Sequence, residues 1–224
     1  MERAPDLHRL YVHGSGRRGA DAWPHVRDSA ARFFAFSPDT TIDDQVAALL
    51  DDIGGRRSLV FAHSIGAVPA VLAAQHVDLA GLVLIEPALY DIARGDAAIE
   101  RHIAIVTEAR ALASSGDLRG FWAILRPLMF GGPFDSARWR EESPLAERWA
   151  TINLPWGHGV RERMLDGTPS LVVTGGWNDE YEAIAQVLAD RGATHLVLPG
   201  HEHRPHDSGG FVHVVDDFVA ALAS

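Results

Sequence analysis

Six short apolar runs punctuate the chain: "LHRLYV" from Leu7, "FFAF" from Phe33, "SLVFAH" from Ser58, "GLVLIE" from Gly81, "SLVVTG" from Ser170 and "THLVLP" from Thr194. Their continuous apolar character suits strands buried on both faces, and most are separated by segments of helical spacing. The alternation predicts α/β architecture, with a mainly parallel sheet of about six strands flanked by helices. Thr40 and Thr41 precede "IDDQVAALLDDIGG", which predicts a helix with an N-cap threonine, acids in its first turn and Gly54 as its stop.

The strand rhythm stops after Glu86 and resumes at Ser170, a gap of roughly eighty residues, far longer than a crossover needs. An inserted helical unit is expected there, with three helices around 96–115, 117–130 and 135–151, broken at "SSGD" and "GGPFD". This divides the chain into a core of 1–90 and 166–224 and a helical cap of 91–165, inserted after the fourth strand. The insertion carries Phe121, Trp122, Trp139, Trp149 and Trp156. Such aromatics form a miniature core or line a ligand site; Trp23, Phe121 and Trp122 are candidates for an apolar substrate-binding wall.

Composition narrows the classes. With 224 residues and 47% hydrophobic content the chain buries a sizeable core as one domain with one insertion. A formal net charge of −10 argues against nucleic acid and anionic membrane surfaces as partners. The absence of cysteine removes disulfides, thiolate metal sites and a cysteine nucleophile. The N-terminal "MERAPDLHRLYVHG" has no signal-peptide core, and no run approaches the ~20 apolar residues of a membrane span, so a soluble cytoplasmic protein is expected.

The stretch "YVHGSGRRGADAW" supports two chemistries. Gly14, Gly16 and Gly19 have the spacing of a dinucleotide loop, whereas His13 onward spells the His-Gly-x-Gly opening of an oxyanion loop. Later residues favour the second. At the end of the third strand, Ala62, Ser64 and Gly66 form small-x-Ser-x-Gly ahead of a helix, a nucleophile elbow that aims the backbone N–H of Ile65 at developing negative charge. A serine nucleophile needs a base and an orienting acid. Asp179 and Glu180 follow the fifth strand; His201, His203 and His206 follow the sixth.

With those pieces in place the sequence resembles the α/β-hydrolase family over nearly its whole length. "HGSG" is similar to the family's oxyanion loop, "AHSIG" to its elbow, "VVTGGWND" to its acid loop and "LPGHEH" to the ending that delivers the base. The resemblance implies an α/β-hydrolase fold whose insertion is a lid, with Ser64, His203 and Asp179 as catalytic triad and the N–H groups of Ser15 and Ile65 as oxyanion hole. The chain departs from the pattern in three places. It starts at the family's third strand, leaving "FFAF" as a sheet edge that admits a homodimer. An extra residue puts Asn178 where the acid is expected, and Glu202 stands where glycine is usual.

The expected function is hydrolysis of a small carboxylic ester or related acyl substrate through an acyl-enzyme, with no cofactor and no metal. Three rivals remain. A dinucleotide-binding oxidoreductase would use Gly14 to Gly19, but Trp23 and Pro24 interrupt the helix it needs, and Ser64, Asp179 and His203 would be idle. "HEHRPH" approaches a zinc motif but has Pro205 in place of its aspartate. A non-catalytic ligand-binding protein would keep the shell without turnover.

Overall fold

The computed structural model describes residues 7–222. Its sheet holds six strands: β1 His8–Val12, β2 Arg32–Phe33, β3 Ser58–His63, β4 Gly81–Ile85, β5 Ser170–Thr174 and β6 Thr194–Val197. All neighbours are parallel, in the order β2-β1-β3-β4-β5-β6. The central strands are buried throughout, as their unbroken apolar runs require.

Alternation sorts the strand residues between two faces. Tyr11, Leu59, Phe61, Val83, Ile85, Leu171 and Val173 share a core with Trp23 and with Phe211 and Val215 of the last helix, α7 (Phe211–Ala221). Among the remaining helices of this unit, α1 (Ile42–Ile53) has the expected punctuation. Thr41 accepts a hydrogen bond from the Asp44 N–H, and Gly54 closes the helix in the left-handed region. Helix α2 (Ala67–Ala73) follows β3.

The second strand is shorter and earlier than the "FFAF" run suggests. Phe34 N–H still bonds to the Tyr11 carbonyl, but its own carbonyl accepts from Gly19 N–H, and Phe34 and Phe36 stack on each other at 5.1 Å. Side-chain packing and the Gly19 loop thus take over where ladder pairing would continue.

Two compact units emerge. Among the described residues the first comprises 7–93 and 154–222, and the second is 94–153. The second contains α3 (Ala97–Ser114), α4 (Leu118–Phe130) and α5 (Trp139–Trp149), where the sequence places three helices. Asp96 and Asp117 cap α3 and α4. Trp122 donates its indole N–H to Glu142 at 2.7 Å, and Arg126 and Arg138 flank the same carboxylate. Residues 154–165 stay with the sheet because Asp91 accepts from the backbone N–H groups of Gly157, His158 and Gly159. Among the described residues, no helix is long and apolar enough to cross a membrane.

Candidate active site

Parallel strands deliver their C-terminal ends to one rim, and the residues that follow β3, β4, β5 and β6 meet there. After β3 the chain enters a tight turn at once, Ser64–Gly66, and then α2. Ser64 has φ of +55°, a region that side chains rarely adopt, and is 8% exposed. The sharp turn brings the backbone of the first strand very close. A Cβ on Gly66 would lie 2.7 Å from the His13 carbonyl oxygen, and one on Gly14 would lie 2.9 Å from the Ser64 Cβ. The glycines at 14 and 66 therefore let the "HGSG" backbone lie against the serine. Ser15 and Ile65 are both half-buried.

The carboxylate at the site comes from β4. Glu86 immediately follows the strand, at φ +44°, and is fully buried. It accepts from Gly175 N–H at 2.6 Å and from Trp177 Nε1 at 3.0 Å, and its Oε2 lies 3.3 Å from His203 Nδ1. A buried carboxylate is costly unless its lone pairs are filled, and these donors fill them. His203 arrives on the loop after β6, with its side chain about one-third exposed. Glu202 beside it takes φ of +45°, a glycine-like conformation held by a charged residue.

Asp179, expected as the orienting acid, is an exposed residue in the first turn of α6 (Asp179–Asp190). Asn178 caps that helix by accepting from Glu180 N–H at 2.8 Å. The carboxylate beside His203 is Glu86 instead, and Asp179 stands where an acid favours the helix terminus. The acid loop still contributes through Gly175 and Trp177, both of which bind Glu86.

The three loop histidines diverge. His201 is exposed, while His206 is buried with its ring 4.9 Å from Trp23 and 4.6 Å from His63. Burial pushes the His206 pKa down to about 3. His63 donates from Nε2 to the His203 carbonyl at 2.8 Å. Burial, then its two histidine neighbours, holds its pKa well below the usual imidazole range. Both rings are therefore neutral packing partners. Among the described residues, no group of three or more His, Asp or Glu side chains is placed to hold a metal ion.

Ser64 and His203 are not hydrogen-bonded to each other. The ring of Tyr181 lies 5.0 Å from that of His203. Of the aromatic candidates, Trp23 is 2% exposed, packs edge-on against Tyr11 at 5.1 Å, and lines a cavity of about 370 Å³ with Phe61, His206 and Phe211. Phe121 and Trp122 lie in α4, where Trp122 packs against Phe130 at 5.5 Å and bonds to Glu142.

Sequence reasoning missed Glu86 as the carboxylate beside His203. Glu86 left one signal, a lone charge ending an otherwise apolar strand and followed by Pro87.

No protein-family model and no curated protein sequence matches the chain. Solved structures do. An α/β hydrolase from Sphaerobacter thermophilus is 21% identical, with 95% of this chain and 92% of that one aligned and a TM-score of 0.58. A thermophilic esterase from Thermogutta terrifontis is 17% identical over 97% and 91% of the two chains, TM-score 0.58. A structure described among carboxylesterases of Nitrososphaera gargenis is 14% identical over 99% and 93%, TM-score 0.59. At these identities the likeness establishes the fold, and the fold is that of the α/β hydrolases.

Proposed function

We propose that this chain, built on the α/β-hydrolase fold, is a serine hydrolase acting on the ester bond of a small carboxylic ester or related acyl compound. Ser64 is the nucleophile, His203 the general base and acid, and Glu86 the carboxylate that orients it. The observation that carries this reading is the Glu86–His203 pair, a fully buried carboxylate 3.3 Å from an imidazole on the rim that also bears the strained Ser64. A buried carboxylate bonded to a histidine at a strand-end cleft fits a base and the acid that orients it.

In this mechanism Glu86 accepts the Nδ1–H of His203 and leaves Nε2 free as a base. Ser64 Oγ attacks the carbonyl carbon while its proton passes to Nε2. The resulting oxyanion lies between the backbone N–H groups of Ile65 and Ser15. Collapse breaks the acyl–oxygen bond, and His203 returns its proton to the leaving alcohol. Water, deprotonated by the same imidazole, then releases the acid and restores Ser64.

A fluorophosphonate probe followed by peptide mapping, with hydrolysis of short p-nitrophenyl esters measured in parallel, tests the assignment. Labelling confined to Ser64 and lost in Ser64→Ala is expected. Ester hydrolysis without labelling there would refute it. A ligand-binding protein without turnover is the second reading, favoured by a His203 that bonds to Glu86 but not to Ser64. It predicts neither labelling nor hydrolysis.

A further inference from the structure

On the sheet face that carries Tyr11 and Phe61, the core is closed by Phe211 and Val215 of α7 and by Ala22 and Trp23 of the crossover between β1 and β2. A parallel crossover is usually helical, but this one has no α-helix, only the single 3₁₀ turn Gly19–Ala22. Beside that turn lies the cavity of about 370 Å³. Its inner wall is Tyr11, Trp23, Phe61, His206, Phe211 and Val215, all buried, and the exposed Arg27 and Val212 stand at its solvent side. Neither Ser64 nor His203 belongs to its lining.

Two polar rings in that wall lack hydrogen bonds. The indole Nε1 of Trp23 is buried and donates to nothing among the described residues. The ring of His206 lies 4.9 Å away, and both of its nitrogens are buried without a hydrogen bond as well. The Ala22 carbonyl near it is taken by Arg204 at 2.9 Å. Leaving a buried donor unbonded is costly, and native structures rarely do so. Two such rings side by side on one cavity point to an occupant that bonds them both.

The lining narrows its chemistry. An indole N–H is a donor only, so the occupant presents an acceptor. His206 is neutral at working pH and offers one donor and one acceptor, which a hydroxyl answers in either sense. A single oxygen bonded on two sides spans about 6 Å, enough for rings 4.9 Å apart. Tyr11, Phe61, Phe211 and Val215 favour a flat apolar body, and Arg9 and Arg27 are balanced by Asp28 and Asp216, so neither sign of charge is selected. The volume is at the small end of ligand sites, roughly 300–1,000 Å³, and suits one or two rings. We propose that this cavity is a binding site for a neutral phenol of one or two rings, whose hydroxyl takes the Trp23 indole N–H and pairs with His206. The site is separate from Ser64 and stands whether or not the hydrolase reading does.

Fluorine NMR titration with 4-fluorophenol tests this, with fluorobenzene as the same body without the hydroxyl. The phenol is expected to bind roughly three- to tenfold tighter than fluorobenzene. Trp23→Phe, which removes the donor and keeps an aromatic wall, should erase most of that preference. Val212→Trp alters an exposed position of α7 and leaves the core intact, and should block both probes. Ser64→Ala should leave the titration unchanged. Equal affinity for the two probes, a preference that survives Trp23→Phe, binding that persists in Val212→Trp or is lost in Ser64→Ala, or no binding of 4-fluorophenol at millimolar concentration overturns the proposal.

Discussion

The Oε2 of Glu86 lies 3.3 Å from Nδ1 of His203, although 117 residues separate them in the chain. The same carboxylate is held by Gly175 N–H and Trp177 Nε1, so its position is fixed from three directions. Glu86→Gln places an amide NH₂ among these donors and removes the charge that would stabilise an imidazolium. Turnover should fall about 10³- to 10⁴-fold, as loss of the orienting carboxylate does in serine proteases. Asp179→Asn should stay within about twofold of the unaltered protein, because nothing joins that exposed carboxylate to His203. Steady-state ester hydrolysis by the two variants decides between the acids.

Gly66→Ala tests the closeness of the elbow to the first strand. Its Cβ would stand 2.7 Å from one backbone carbonyl and 2.9 Å from another, and neither can swing aside like a side chain. The strand and the elbow must separate, with an expected loss of about 1–3 kcal/mol in unfolding free energy. Labelling of Ser64 should slow as well, since the "HGSG" loop moves with the strand. Chemical denaturation and probe kinetics on one preparation measure both.

Acid should destabilise the protein through its buried histidines. Burial holds the folded pKa of His206 at about 3, against about 6.5 in an unfolded chain. Above that unfolded value both states are neutral and the group has no effect. As pH falls below it, the unfolded chain takes up a proton that the folded one refuses, and stability is lost continuously until about pH 3. Between pH 6.5 and 5 the loss from His206 is about 2 kcal/mol, and His63 acts in the same direction. Urea titrations at about pH 7.5 and 5 should show the drop, and His206→Phe should reduce it.

Trp122→Phe separates a packing role from a ligand role for the helical unit. The indole N–H donates to a buried Glu142 carboxylate, and phenylalanine leaves that bond unmade. A loss of about 1–3 kcal/mol is expected by thermal or chemical unfolding. A variant that melts like the unaltered protein would show that the bond contributes nothing.

Local pattern was enough to locate most of the secondary structure. The apolar runs at Ser58, Gly81, Ser170 and Thr194 became strands because buried parallel strands need no polar face, and Thr41 and Gly54 bound α1 through short-range capping. "FFAF" misled because phenylalanine stacking and the Gly19 N–H compete with ladder pairing, and periodicity does not reveal such competition. The acid was illegible for a related reason. Glu86 is held by Gly175, Trp177 and His203, all far along the chain, whereas Asp179 stood in the expected loop but was drawn into the first turn of α6. Ser64 announced itself because the elbow is a local geometry.

Asp91 gathers three successive amides from the segment that leads back to the sheet, only a few residues after β4 has ended. Departure and return of the inserted helices are thereby stitched together at one seam. Both sides of that stitch belong to the unit of the sheet, so replacing the helices with a short linker or a foreign module would leave the six-stranded scaffold its own means of closing up.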